Sequence, residues 1–268
     1  MTAVNVGLPT RRGEETPSLA PAHHPARGEV VSVHSWELVT AVDGPGTRLT
    51  VFLSGCPLRC QYCQNPDTWY MRDGASTPVE DVLARIRHYK PVFDATGGGV
   101  TLSGGEPLLQ AAAVRRIFTA CKAMGVHTAL DTSGFLGAKA DDGLLDATDL
   151  VLLDVKSGLP DTYRRVTSAE LAPTVAFGDR LSARGNRIWI RFVLVPGLTD
   201  TVENVEAVAD IVARWQVERL EVLPFHQLGA SKWERLHRPY PLHDVRPPEP
   251  ELQDRVRAQF RTRGLTVF

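Results

Sequence analysis

From Glu29 onward, short apolar runs alternate with stretches of helical length, and this alternation limits the fold more than any other feature of the chain. Val100–Ser103, Val126–Asp131, Leu150–Asp154, Ile188–Val195 and Arg219–Leu223 are rich in Val, Ile and Leu, as strands buried on both faces are. Val30–His34 and Arg48–Leu53 read as two earlier strands. Helices are predicted over Pro78–Tyr89, with Pro78 suited to a helix start, and over Gln110–Met124, Ala140–Ala147, Val175–Ala183 and Val202–Trp215. A last helix at Glu249–Arg263 leads to a terminal strand. Repeated strand–helix units predict a parallel sheet with right-handed crossovers. About six of them point to a barrel or partial barrel, with its chemistry at the C-terminal ends of the strands. Residues 1–28, rich in Pro, Ala, Arg and Glu, read as a poorly ordered tail, and 29–268 as the barrel domain.

The balance of charge narrows the partners. Thirty Lys and Arg against thirty-one Asp and Glu leave a net charge of −1, which offers neither nucleic acid nor an anionic membrane a reason to bind. No apolar run approaches a membrane span and the start lacks the apolar core of a signal peptide, so the cytoplasm is the expected compartment.

Three of the four cysteines fall in one short loop after the Arg48–Leu53 strand, Cys56-Pro-Leu-Arg-Cys60-Gln-Tyr62-Cys63. In a reducing compartment such clustering points to metal rather than disulfides. Three thiolates in the pattern C-x3-C-x2-C can wrap one face of an iron–sulfur cubane and leave its fourth iron open to a small molecule. A zinc-stabilised binding module is the competing reading, but zinc sites favour paired C-x2-C units or Cys/His mixtures, and no second pair exists. Cys121 lies on the apolar row Val114, Ile117, Phe118 of a predicted helix and reads as core.

The cysteine loop, with an aromatic residue before its third cysteine, resembles the signature of the radical S-adenosylmethionine (radical SAM) superfamily. The likeness continues in order through Asp-Gly-Pro-Gly at 43–46, Asn-Pro-Asp-Thr-Trp at 65–69, Ser-Gly-Gly-Glu-Pro at 103–107 and Leu-Asp-Thr-Ser-Gly at 130–134. Leu-Asp-Val-Lys at 153–156, Trp-Ile-Arg at 189–191, Leu-Pro-Phe-His at 223–226 and Leu-Gly at 228–229 complete it. These strings resemble the branch of the superfamily that activates glycyl-radical enzymes, of the kind acting on pyruvate formate-lyase. The resemblance implies a partial (β/α)6 TIM-like barrel of the radical SAM type. It also implies one 4Fe–4S cluster on Cys56, Cys60 and Cys63, with S-adenosylmethionine chelating the fourth iron. Reductive cleavage of that molecule would yield a 5′-deoxyadenosyl radical, which abstracts hydrogen from a glycine of the protein substrate. Flavodoxin or ferredoxin is the implied electron donor.

The same resemblance assigns the remaining residues, each beside a plainer reading. Gly104, Gly105 and Glu106 would receive the methionine amino group, where an ordinary turn, or orientation of Glu106 by a backbone amide, competes. Asp131, Thr132, Asp154 and the Leu152 carbonyl would hold a monovalent cation, sodium or potassium, where helix caps compete. Val155, Lys156 and Arg191 would face ligand carboxylate or ribose. Tyr62, Gln64 and His226 would border the adenosine, although a lone histidine is more often a hydrogen-bonded core residue. Asp43 is either near the substrate glycine or a turn cap before Gly-Pro-Gly. Gln64 departs from the histidine common in close relatives, and the tail has no counterpart in the family pattern. Activases of other glycyl-radical enzymes often carry extra cysteine-rich segments. Here Cys121 is the sole cysteine after Cys63.

Overall fold

The computed structural model describes residues 28–40 and 42–268, without the side chains of residues 39 and 40. The proposed tail therefore lies outside the described residues, Gly28 excepted. Eight strands form one sheet: β1 (Val30–Thr40), β2 (Arg48–Leu53), β3 (Ala75–Pro78), β4 (Gly99–Gly104), β5 (His127–Thr132), β6 (Leu150–Asp154), β7 (Ile188–Leu194) and β8 (Val217–Pro224). Their order is β3-β1-β2-β4-β5-β6-β7-β8. From β2 to β8 every neighbouring pair is parallel, while β1 pairs antiparallel with β2 and β3. The end strands β3 and β8 do not pair, so the barrel is partial, as expected.

The α-helices of the described residues are α1 (Val79–Thr96), α2 (Ala111–Ala123), α3 (Asp142–Asp146), α4 (Pro160–Thr167), α5 (Ala172–Arg184), α6 (Val202–Val212), α7 (Ala230–Arg235) and α8 (Pro250–Arg261). The main core lies between sheet and helices, where β4 and β6 bury nearly every residue. Helix α2 contributes Val114, Ile117, Phe118 and Cys121 to it, on the face read from the sequence.

Boundaries differ where tertiary packing overrides a local rule. Helix α1 runs through Pro91, because Phe93, one turn beyond Tyr89, is buried against the core and Gly97 closes the helix in the left-handed conformation. Strand β1 is twice the expected length, since pairing with β2 extends it past His34. The short strand β3 was not expected: its residues are polar and mostly exposed, and it ends on a proline at the sheet edge. Helices α4 and α7 were also not expected. The terminal strand is reduced to a single parallel bridge from Val267 to Leu220.

Candidate functional site

The cysteine loop leaves the C-terminal end of β2 and is held on both sides. Arg59 and Gln61 donate their backbone N–H groups to the carbonyls of Thr167 (2.7 Å) and Val166 (2.9 Å). These belong to the last turn of α4, whose carbonyls have no partner within the helix. On the other side Gly55 and Cys56 donate to Thr68 (2.7 Å) and Trp69 (3.0 Å). The indole of Trp233, on α7, donates to the Cys63 carbonyl at 2.9 Å and packs edge-on against Trp69. Both unexpected helices thus serve the loop.

Cys56, Cys60 and Cys63 are free thiols. Their surroundings are apolar: Leu58, Val166, Val195, Leu198, Phe225 and Leu242 form a small buried cluster against which the loop packs. Burial pushes the Cys60 thiol up to about 12, against the pull of the Lys156 ammonium. Burial raises Cys56 and Cys63 as well, and a hydrogen bond from the Trp69 side chain partly offsets it at Cys63. Among the described residues no three His, Cys, Asp or Glu are close enough to hold one metal ion. A cubane carries its irons apart and is held by separated thiolates, one to each iron. The Tyr62 hydroxyl, Gln64 Oε1 and Tyr240 hydroxyl are buried beside this loop without partners among the described residues. Buried polar atoms are normally paired, so these orphans, with the free thiols, fit a site built around a bound group.

The Gly-Gly-Glu turn interlocks with the cysteine loop through its backbone. Gly105 donates to Leu53 at 2.7 Å and Glu106 to Gly55 at 2.8 Å. A Cβ on Gly105 would stand 2.3 Å from the Gly55 carbonyl, so the glycine is needed for this approach. The Glu106 carboxylate is fully buried and spent on its own chain. Oε1 accepts from Leu108 N (3.1 Å) and Thr132 Oγ1 (2.6 Å), and Oε2 from Ser133 N (3.0 Å) and Ser133 Oγ. Burial raises its pKa, against the pull of these donors. The orienting amide anticipated as the plainer reading is here, joined by two hydroxyls and a second amide.

Behind the loop the interior is charged. Lys156 donates to Asp154 Oδ2 at 2.9 Å and lies 5.6 Å from the Tyr62 ring. Burial alone would pull Lys156 down, but Asp154, Tyr62 and Cys60 outweigh it and raise it. Arg191, level with Asp154 in the sheet, reaches Asp43 Oδ1 at 3.1 Å, Asp131 Oδ2 at 3.2 Å and Glu221 Oε2 at 3.6 Å. Its backbone carbonyl accepts from Val155 at 3.0 Å. Burial pushes the Asp131 carboxyl up from 3.8 to about 6; Arg191 opposes the shift, and Asp154 and Asp43 add to it.

Two of the plainer readings fail here, and the residues expected around a cation are spread. Asp43 is not a turn cap: its loop enters the barrel from the N-terminal side, and the carboxylate accepts from Thr50 at 3.1 Å and pairs with Arg191. His226 is not a core residue but exposed, and its carbonyl accepts from the Gln64 amide at 3.0 Å. The four atoms expected around a cation are not gathered as one ligand set. Asp131 turns to Arg191 and Ser103, while Thr132, pointing to the other side of β5, donates to Glu106 and accepts from Gly134. Leu152 lies opposite Asp131 on β6. A guanidinium supplies the positive charge beside Asp131.

Fold and cysteine loop define a class, and a family model described as the Radical SAM superfamily matches residues 50–211: the chain belongs to that superfamily. Solved structures agree on the fold. A domain of pyruvate-formate lyase-activating enzyme from Bacteroides vulgatus superposes with TM-score 0.54 at 23% identity, over 64% of this chain and 98% of that one. A radical SAM methyltransferase from Sphaerobacter thermophilus gives 0.58 at 17%, over 90% and 76%. Sequence relatives are more specific. The pyruvate formate-lyase-activating enzyme of Clostridium pasteurianum is 43% identical over 225 residues, 84% of this chain and 94% of the relative. The pyruvate formate-lyase 1-activating enzyme of Escherichia coli K12 is 40% identical over 239 residues, 88% and 97% respectively. Within the superfamily the chain belongs to the family of these activating enzymes.

Proposed function

We propose that the chain activates pyruvate formate-lyase by generating its glycyl radical. The observation that carries this reading is the trio of unpaired cysteines at the barrel mouth of a chain 43% identical to such an activase over 94% of the latter's length. Bound together, a 4Fe–4S cluster and S-adenosylmethionine supply one-electron cleavage to methionine and a 5′-deoxyadenosyl radical, the species that takes hydrogen from a glycine of the partner enzyme.

In this reading Cys56, Cys60 and Cys63 hold three irons, and their thiols release protons on loading. Lys156 favours the anionic form of Cys60, and the Trp69 side chain that of Cys63. Leu58, Val166, Phe225 and Leu242 keep water from the cysteines. Gln64 ties the cysteine loop to the His226 segment, so adenosine is bordered by Tyr62, Gln64 and His226. Gly104 and Gly105 set the approach of the methionine moiety, Glu106 positions the turn, and Asp154, Val155, Lys156 and Arg191 line the carboxylate side. Asp43 stands where a glycine-bearing segment entering the barrel would meet Arg191. Residues 29–268 act as one domain. A cytoplasmic flavodoxin or ferredoxin delivers the electron, and the guanidiniums of Arg59, Arg72 and Arg238, stacked around Tyr70 beside the loop, offer an acidic donor a surface. Among the described residues no helix is long and apolar enough to cross a membrane.

The test is anaerobic reconstitution with iron and sulfide, followed by reductant, S-adenosylmethionine and pyruvate formate-lyase, read by EPR. A glycyl-radical doublet is the expected result. A cluster signal altered by S-adenosylmethionine without the doublet would transfer the chemistry to another glycyl-radical enzyme or to a small molecule.

A further inference from the structure

The segment after α7 carries a buried hydroxyl that the proposed function leaves without a task. Tyr240 packs its ring on Trp233, with centroids 5.3 Å apart, and Trp233 is itself fastened to the Cys63 carbonyl and to Trp69. Tyr240 and Cys63 pack on the same apolar cluster of Leu58, Phe225 and Leu242. The turn that presents Tyr240 is rigid. His243 donates to the Tyr240 carbonyl at 3.3 Å, and the Gln227 amide donates to the carbonyls of Leu242 (3.1 Å), His243 (2.8 Å) and Val245 (2.8 Å). A phenol held this firmly, yet with no partner for its O–H among the described residues, is unusual, because buried tyrosine hydroxyls find acceptors. Burial, with the charge of nearby Cys63 adding to it, pushes this hydroxyl up to about 12, although the Cys63 sulfur itself accepts no hydrogen bond from it here.

We propose that Tyr240 tunes the reduction potential of the cluster by donating its O–H to the Cys63 thiolate or the sulfide beside it. The inference rests on the cluster being held as in the function proposed above. Reduction adds negative charge to the sulfurs, so a donor there stabilises the reduced state more than the oxidised one and raises the potential. Tyr240 touches neither S-adenosylmethionine nor the substrate glycine in this role. It sets how readily the electron is accepted.

The experiment is an EPR-monitored redox titration of the reconstituted full chain and of Tyr240→Phe, both without S-adenosylmethionine. Tyr240→Phe keeps the ring and is expected to take up the same iron and sulfide. At a fixed solution potential its ratio of reduced to oxidised cluster falls about tenfold, which is about 59 mV for a one-electron couple. An exchangeable proton coupled to the reduced cluster, detected after transfer to D2O, is expected in the parent and absent from the variant. A fluorinated tyrosine at position 240, a stronger donor of nearly the same shape, moves the ratio the other way. Loaded proteins with equal ratios and equal proton couplings overturn the proposal and leave the proposed function intact. A parent chain that takes up no cluster overturns both.

Discussion

Glu106 and the pocket around Cys63 are both buried, polar and placed at the mouth of the barrel, yet one is closed and the other open. The Glu106 carboxylate has four donors from its own chain on its two oxygens. Around Cys63 three thiols and two phenol hydroxyls are buried or half-buried, with the hydroxyls unpaired among the described residues. Burial makes an unpaired polar group costly in both places. Where the chain supplies every partner, polarity builds the fold. Where it withholds them, the balance is left to something that binds. A motif match alone treats the two alike, and only the hydrogen-bond inventory separates them.

The largest expected effect tests the open side. Cys60→Ala is predicted to abolish both cluster assembly and S-adenosylmethionine cleavage, measured as bound iron and released 5′-deoxyadenosine. Full activity in that variant would remove the cluster from the site. On the closed side, Glu106→Ala leaves two hydroxyls and two amides without their acceptor and is predicted to cost roughly 3–4 kcal/mol in urea unfolding. Unchanged stability with weakened cofactor binding would instead move Glu106 to the open side.

A smaller effect concerns the charged interior behind both. The folded-state carboxyl of Asp131 lies at about 6, above its ordinary 3.8, so its protonation favours the folded state. That contribution is fully present below about pH 4 and is lost as pH rises through about 6. The stability difference between the parent and Asp131→Asn, measured by urea unfolding of cluster-free protein, should therefore shift against the parent across this interval. A difference that does not vary with pH would mean that the pairing with Arg191 offsets burial. The smallest effect is at Cys121, a free thiol in the core. Cys121→Ala is predicted to cost about 1–2 kcal/mol and to leave iron content unchanged.

Much of the fold is legible before any coordinates. The parallel strands are runs of Val, Ile and Leu, and burial on both faces leaves such runs few alternatives. The elements that escape sequence reading are those whose own residues do not explain them. Helix α4 has eight residues, three of them charged, and α7 has six, so neither carries a long apolar period. Their signals are local ones, Leu-Pro at 159–160 for a helix start and Trp233 for a buried anchor. Strand β3 exists because β1 offers it an edge. The cysteines of the candidate site are legible because ligand spacing is a property of the chain. The partners of Asp43, Thr132 and Tyr240 are not, because they come from residues 148, 26 and, for the packing of Tyr240 on Trp233, only 7 positions away, with no pattern linking them.

The sequence by itself determined the run of parallel strands with most of their helices, the spacing of the three loop cysteines, and the absence of a second cysteine cluster, since periodicity and spacing are written along one dimension. Tertiary structure alone decided which buried groups are spent and which are free. That depends on distances between strands, and a carboxylate such as Glu106 has the same chemistry until its neighbours arrive.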